Sequence, residues 1–145
     1  MTADPADRDH ATPEPAAAWG EAHADALAEA RRAARVAAQN DAFRRALAPG
    51  SAPCPLAGRA VITHGVAARG AVFAATALLA VARDETFTEE NDPHGYRDFG
   101  AVEVEGVTVW WKIDLFDADE RFGSERPDDP AATVRALTIL LPEEG

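Results

Sequence analysis

Apolar and polar positions alternate most regularly near the middle of the chain. Over 107–116 the odd-numbered residues are apolar, whereas the even-numbered residues mix rings, charges and a hydroxyl. A period of two is the pattern of a β-strand with one buried face. A shorter strand with the same alternation is predicted over 99–105, and the tight turn at Glu105–Gly106 joins the two strands into a hairpin.

Helical patterns dominate the first part of the chain. Residues 16–48 contain no proline and a single glycine, and they are rich in Ala, Arg and Glu, which predicts a long helix. Val36, Phe43 and Leu47 share one of its faces, so the second half of the helix is expected to dock on the core. A second helix, apolar on nearly every side and therefore buried, is predicted over 66–83.

Two further apolar strands are predicted, over 59–64 and 133–141. The most economical packing for this order of elements gathers the helices on one face of a small, mostly antiparallel sheet of three or four strands. We therefore predict an α+β domain over 57–145, preceded by a helical N-terminal extension over 16–48. The Pro- and Ala-rich tail over 1–15 is expected to be disordered.

Composition favours one small domain. The chain has 145 residues and is 47% hydrophobic, but 34 of its 68 apolar residues are Ala, which leaves enough large side chains for a single core. No apolar run approaches the length of a membrane span, and no secretory signal is expected at the start. The single cysteine excludes an internal disulfide framework, so a cytoplasmic location is expected.

Charge is concentrated in one block. Residues 84–129 carry 15 acidic and 4 basic side chains and account for the whole net charge of −11, because the rest of the chain holds ten of each sign. A field of this sign repels phosphates, so direct binding of DNA or RNA is disfavoured. A basic protein partner, a cation and a simply solvated acidic surface are all compatible with the block.

The loop over 84–98 has the densest cluster of polar side chains, and its candidate site residues are Asn91, Asp92, His94, Gly95 and Asp98. An imidazole and two carboxylates suit a metal such as zinc, manganese or iron, or acid–base catalysis near neutral pH. The same residues are also ordinary turn chemistry, since Asx side chains cap backbone amides. Both interpretations stay open, as does a contact with a protein or a ligand.

The even-numbered face of the strand over 107–116 is a second candidate surface. Trp110, Lys112, Asp114 and Phe116 alternate along it, and a buried core accepts such charges only when they are paired. One interpretation is a binding surface flanked by two acidic loops. The other is packing against a loop or a helix, with the charges of Lys112 and Asp114 paired locally.

Motifs of well-known enzyme classes are missing from the sequence. It contains no nucleophile elbow, no phosphate-binding Gly-Lys-Ser/Thr loop and no His-Glu-x-x-His pattern. Cys54 lies between two prolines with no basic neighbour in sequence, so an unreactive thiol is expected. We therefore assign no catalytic residue, no cofactor and no metal ligand.

Six groups of short motifs occur in order between about residues 35 and 141. They are Asn40-Asp41-x-Phe43-Arg44; Thr63-x-Gly65-Val66; Phe87-Thr88-x-x-Asn91-Asp92-Pro93-His94-Gly95 with Asp98-Phe99-Gly100; Trp111-Lys112-Ile113-Asp114; Phe122-Gly123-Ser124 with Asp129-Pro130; and Arg135-x-Leu137-Thr138-Ile139. Together they resemble the bacterial "domain of unknown function 3768" family. The chain departs from that family at Leu115-Phe116, where an aromatic pair is usual, and at His64 and Arg69-Gly70.

The resemblance implies a small soluble bacterial protein, often plasmid-borne, and supplies no activity. We expect a non-enzymatic binding or regulatory module that meets a basic protein partner through its acidic central surface. The alternative is a small metal-dependent or acid–base enzyme, which requires His94 and at least two carboxylates to converge. The oligomeric state is left open, and self-association through the Ala-rich N-terminal helix is a further possibility.

Overall fold

The computed structural model describes the backbone of residues 16–145 and the side chains from residue 20 onward. The tail predicted over 1–15 lies outside the described residues. Contacts divide the described part of the chain into two units, with the boundary between Arg32 and Ala33. Helix α1 spans Ala16–Arg45, close to the predicted range of 16–48.

In the first unit, the described residues belong to the beginning of α1. Side chains 20–31 are exposed, and Leu27 is 45% exposed. Arg32 and Glu29 form an ion pair at 2.7 Å between exposed positions three residues apart. This part of the helix therefore depends on helix propensity and on surface pairs rather than on a core.

The second unit is built on a four-stranded sheet in the order β1-β4-β3-β2. The strands are β1 (Gly58–Ile62), β2 (Phe99–Val104), β3 (Val107–Phe116) and β4 (Val134–Leu140). Strand β1 runs parallel to β4, and the other two pairings are antiparallel. The α+β class is confirmed, and the sheet is mixed because the first strand of the unit lies beside the last and in the same direction.

The predicted hairpin of β2 and β3 is present. Glu105 and Gly106 have φ angles of 52° and 79°, as a two-residue turn between twisted strands requires. The register pairs Gly100 with Trp111 across the two strands. The odd-numbered side chains of β3 therefore share one face of the sheet with the even-numbered side chains of β2.

The second predicted helix is in fact two helices, α2 (His64–Ala67) and α3 (Ala71–Ala82). Gly70 separates them with a φ of 105°, which residues with a side chain rarely adopt. Thr63 caps α2 through its side chain and thereby ends β1 earlier than predicted. None of the helices within residues 16–145 is long and apolar enough to cross a membrane.

The core lies between the helices and one face of the sheet, which we call the inner face. Its central residues are Phe43, Val66, Phe73, Ala77 and Val81 from the helical segments and Val109, Trp111, Ile113, Leu137 and Ile139 from the strands.

The opposite side of the sheet is here called the outer face. The register assigns to it Arg59, Val61, Phe99, Ala101, Glu103, Thr108, Trp110, Lys112, Asp114, Phe116, Val134, Ala136, Thr138 and Leu140. No residue of this face belongs to the core cluster found among the described residues.

Candidate functional site

A buried polar network joins α1 to the end of α3 and to β3. Arg44 is fully buried, and its guanidinium donates hydrogen bonds to the carbonyls of Val81 at 2.9 Å and Ala82 at 3.0 Å. It also donates to the Asp41 carboxylate at 3.0 Å and lies 5.1 Å from the Trp111 ring centre. A cation at the last carbonyls of a helix complements the helix dipole, so Arg44 fixes α1 against α3.

The inner-face tryptophan belongs to the same network. Trp111 donates its indole N–H to the Asp84 carboxylate at 2.9 Å, and the other Asp84 oxygen accepts from the backbone N–H of Thr86 at 3.1 Å. A Cβ atom at Gly100 would collide with both Trp111 and Asp84. Glycine at this position is therefore needed for the close approach of the strands and the carboxylate.

The network reaches solvent through three charged residues. Arg97 donates to Asp41 at 2.8 Å, and Arg45 pairs with Glu85 at 2.9 Å. The hydrogen bond from Arg45 lowers the pKa of Glu85 below its ordinary value. About half of the Arg45 and Glu85 side chains is exposed, so this rim contributes less to stability than the buried centre.

A second buried guanidinium ties β4 to α1. Arg135 is fully buried and donates to Asn40 Oδ1 and Gln39 Oε1, each at 2.8 Å. Asn40 in turn donates to the Tyr96 carbonyl at 2.9 Å, and burial lowers the pKa of Arg135. The sequence pattern did not predict a structural role for these residues, although an Arg within an apolar strand is a signal of one.

Two of the predicted site residues stabilise their own loop. Asn91 accepts a hydrogen bond from the Thr88 backbone N–H at 2.8 Å and donates to the Thr86 carbonyl at 2.9 Å. Asp92 accepts from the Arg97 backbone N–H at 2.9 Å. Gly95 has a φ of 73°, as a sharp turn requires. These side chains therefore have a structural task within the loop, as the turn-chemistry interpretation described.

Asp98 is the last residue of this loop, immediately before β2 begins at Phe99. Burial raises the pKa of Asp98, the charges of Asp92 and Asp114 raise it further, and His94 lowers it. His94 is exposed, with its ring centre 6.1 Å from that of Tyr96. Within residues 16–145, no group of three or more His, Cys, Asp or Glu side chains is arranged to hold a metal ion.

The outer face brings the other predicted residues together. Trp110 is half-buried and packs edge-on against Phe99, with ring centres 5.6 Å apart. Lys112 and Asp114 form an ion pair at 3.5 Å, with side chains 48% and 43% exposed. The charges are thus paired locally, as one interpretation predicted, and the C-terminal residue Gly145 lies against the ring of Trp110, so the face is partly covered at that end.

A cavity of about 490 Å³ opens in the loop between β3 and β4. We call it the acidic cleft, because the charged residues that line it are Asp117, Asp119, Glu125, Arg126 and Asp129. Phe122 belongs to the lining and is 72% exposed. The acidic character of this loop was predicted from the sequence, but the cavity was not.

Part of the charge in the acidic cleft is compensated. Arg126 and Asp129 form an exposed ion pair at 3.5 Å, and Asp117 accepts a hydrogen bond from the Arg121 backbone N–H at 3.1 Å. Among the described residues, Asp119 and Glu125 have no hydrogen-bond or ion-pair partner. The cleft therefore keeps a negative charge and free acceptor atoms.

Comparison with known proteins identifies a family for this chain but indicates no activity. A family model described as "Protein of unknown function (DUF3768)" matches residues 62–144, which is more than half of the chain. The matched stretch contains the loop over 84–98, the hairpin and the acidic cleft, whereas Asn40, Asp41 and Arg44 precede it. No curated protein and no solved structure matches the chain.

Proposed function

The chain belongs to the family of proteins of unknown function DUF3768, and from that premise we propose that it is a non-enzymatic binding module with an acidic surface for a basic protein partner. The observation that carries this proposal is the acidic cleft, where an exposed aromatic ring lies beside carboxylates that have no partner among the described residues. The family description supplies no activity, so the proposal rests on the residues of this chain.

Most of the acidic block is free of ion pairs within the described residues. Of the 15 acidic side chains over 84–129, five form ion pairs with Arg or Lys, and these are Glu85, Asp114, Glu120, Asp128 and Asp129. The other ten have no cationic neighbour at ion-pair distance among the described residues. Such a surface attracts basic proteins and accelerates their association.

The acidic cleft has the chemistry to receive a cationic side chain. Asp119 and Glu125 offer carboxylates for charge-assisted hydrogen bonds, and the Phe122 ring offers a flat apolar surface on which a guanidinium can stack. The volume of about 490 Å³ is within the range of sites that bind small groups. An arginine side chain of the partner fits these features best.

The alternative function, a metal-dependent or acid–base enzyme, has one observation in its favour. Burial raises the pKa of Asp98, as catalytic carboxylates often require. Against it, Asn91 and Asp92 already bond to the backbone of their own loop, and His94 is exposed. These contacts favour a binding role over catalysis.

The proposal extends to a bacterial, plasmid-associated origin and a cytoplasmic place of action. Origin rests on the motif resemblance described above. The single cysteine, Cys54, is what a reducing compartment permits, and it supports a cytoplasmic location. The same negative charge that attracts a basic protein disfavours direct contact with nucleic acid.

The direct test is the affinity for a fluorescently labelled arginine-rich peptide, measured by anisotropy at two salt concentrations. Asp119→Asn/Glu125→Gln is expected to weaken binding at least about tenfold, which corresponds to roughly 1.4 kcal/mol. Glu89→Gln/Glu90→Gln is the matched control, because it removes the same charge from exposed positions in the other acidic loop. Equal losses in both variants, or no binding of the peptide by the wild type, would overturn the proposal.

A further inference from the structure

We propose that the outer face of the sheet is a self-complementary surface through which two copies of this chain form a symmetric dimer. The inference goes beyond the proposed function, because it involves neither the acidic cleft nor a basic partner. It rests on the order of side chains along β3, on their exposure, and on the balance of charge across the face.

The order of side chains on β3 is self-complementary. The outer residues Trp110, Lys112, Asp114 and Phe116 run aromatic, cation, anion, aromatic. Consider a twofold axis that lies just above the outer face, parallel to the sheet and perpendicular to β3 at the level of Ile113. This axis places Lys112 opposite Asp114 of the other copy. The same axis places Trp110 opposite Phe116. Charges then face opposite charges and rings face rings, as an interface made by one patch with itself requires.

The side chains concerned are accessible. Lys112 and Asp114 are 48% and 43% exposed and lie 3.5 Å apart, so they can exchange their present pair for pairs with a second copy. Trp110 and Phe116 are half-buried, with Gly145 against part of the Trp110 ring, and Val61 on the edge strand β1 is 44% exposed. Aromatic side chains that keep one exposed side are typical of surfaces that bind another protein.

Charge balance identifies a second copy as the occupant. The outer face carries two cations and two anions, Arg59, Lys112, Glu103 and Asp114, although the chain has a net charge of −11. A strongly basic or strongly acidic partner would meet a like charge near the centre of this face. A copy related by the twofold axis meets an opposite charge at both central positions.

The test exchanges the two central charges and measures the mass by sedimentation velocity. The wild type is expected to rise from 15.4 kDa toward about twice that mass as its concentration increases. Lys112→Asp places carboxylates opposite carboxylates, and Asp114→Lys places amines opposite amines, so each variant alone should dimerise at least about tenfold more weakly. An equimolar mixture of the two variants should recover the dimer, because each then supplies the charge that the other needs.

Two further variants make the result decisive. The double variant Lys112→Asp/Asp114→Lys restores a self-complementary order and should dimerise like the wild type. Val61→Lys, at an exposed position, places an amine opposite Arg59 of the other copy, so it should weaken the dimer and leave the fold intact. A wild type that stays monomeric up to about 1 mM, single variants that dimerise as tightly as the wild type, or a mixture that fails to recover the dimer would each overturn the proposal. Asp119→Asn/Glu125→Gln should leave the dimer unchanged, which separates this test from that of the cleft.

Discussion

Two neighbouring tryptophans show how differently the two faces of β3 are built. Trp111 on the inner face is fully buried and donates its N–H to Asp84 at 2.9 Å. Trp110 on the outer face is half-buried and packs against Phe99. A hydrogen bond lost on the inner face cannot be replaced by water, whereas water reaches the outer face. The polar atoms of the inner face therefore specify the fold, and those of the outer face remain available for binding.

The charged pairs of the two faces differ in the same way. Arg44 and Asp41 are 0% and 9% exposed, whereas Lys112 and Asp114 are 48% and 43% exposed. Removing one partner of a buried pair leaves the other charge poorly solvated, whereas an exposed pair contributes little to stability. The comparison predicts large effects of substitution on the inner face and small effects on the outer face.

The largest expected effect comes from Arg44→Met. This substitution leaves the Asp41 carboxylate and the carbonyls of Val81 and Ala82 without the donors that Arg44 supplies. We expect the free energy of unfolding, measured by urea denaturation, to fall by about 3–5 kcal/mol.

The control is Arg45→Met, at the next position of α1. Its side chain is 55% exposed and pairs with Glu85, so removal should lower the free energy of unfolding by less than about 1 kcal/mol. Similar losses in the Arg44 and Arg45 variants would contradict the distinction between the buried network and its rim.

An intermediate effect is expected when each tryptophan is replaced by phenylalanine. Trp111→Phe removes the indole N–H that donates a buried hydrogen bond to Asp84. This substitution should lower the free energy of unfolding by about 1–3 kcal/mol. Trp110→Phe should lower it by less than about 1 kcal/mol, because no buried hydrogen bond is lost. If Trp110→Phe proved the more damaging of the two, the assignment of inner and outer faces would have to be abandoned.

The smallest effect concerns Asp98, the last residue before β2. Burial raises the pKa of Asp98, so its contribution to stability is complete below the ordinary pKa of an aspartate and is lost as pH rises through the raised value. Asp98→Asn, which cannot ionise, should therefore gain stability relative to the wild type at pH 7 and show no such gain near pH 3. Thermal melting at both pH values checks this, and a gain of equal size at pH 3 would show that charge is not the cause.

Local patterns predicted much of the fold. The alternation over 107–116 placed every side chain of β3 on its observed face, and Glu105–Gly106 marked the turn, because strand period and turn chemistry depend on adjacent residues. The parallel pairing of β1 with β4 depends on residues 77 positions apart, such as Gly58 and Arg135, which no local pattern indicates. The break at Gly70 depends on a positive φ, which the apolar pattern over 66–83 does not indicate.

The candidate site was less predictable for the same reason. Turn chemistry at Asn91 and Asp92 could be proposed from the sequence because each side chain bonds to nearby backbone. The acidic cleft depends on how its loop closes, with Gly123 bridging back to Phe116, and the role of Arg135 depends on Asn40, far away in sequence. The acidic block could therefore be predicted from the sequence, but the place within it where unpaired carboxylates and an exposed ring come together could not.

The most direct test of the proposed binding role is the set of backbone amide chemical shifts that change when an arginine-rich peptide is added to the isotope-labelled protein. We expect the largest changes over 117–132, where Asp119, Glu125 and Phe122 line the acidic cleft. Changes should be small over 88–95, although Glu89 and Glu90 there carry the same charge. Shifts that centre on 88–95, that spread evenly over both acidic loops, or that do not occur at all would contradict the account.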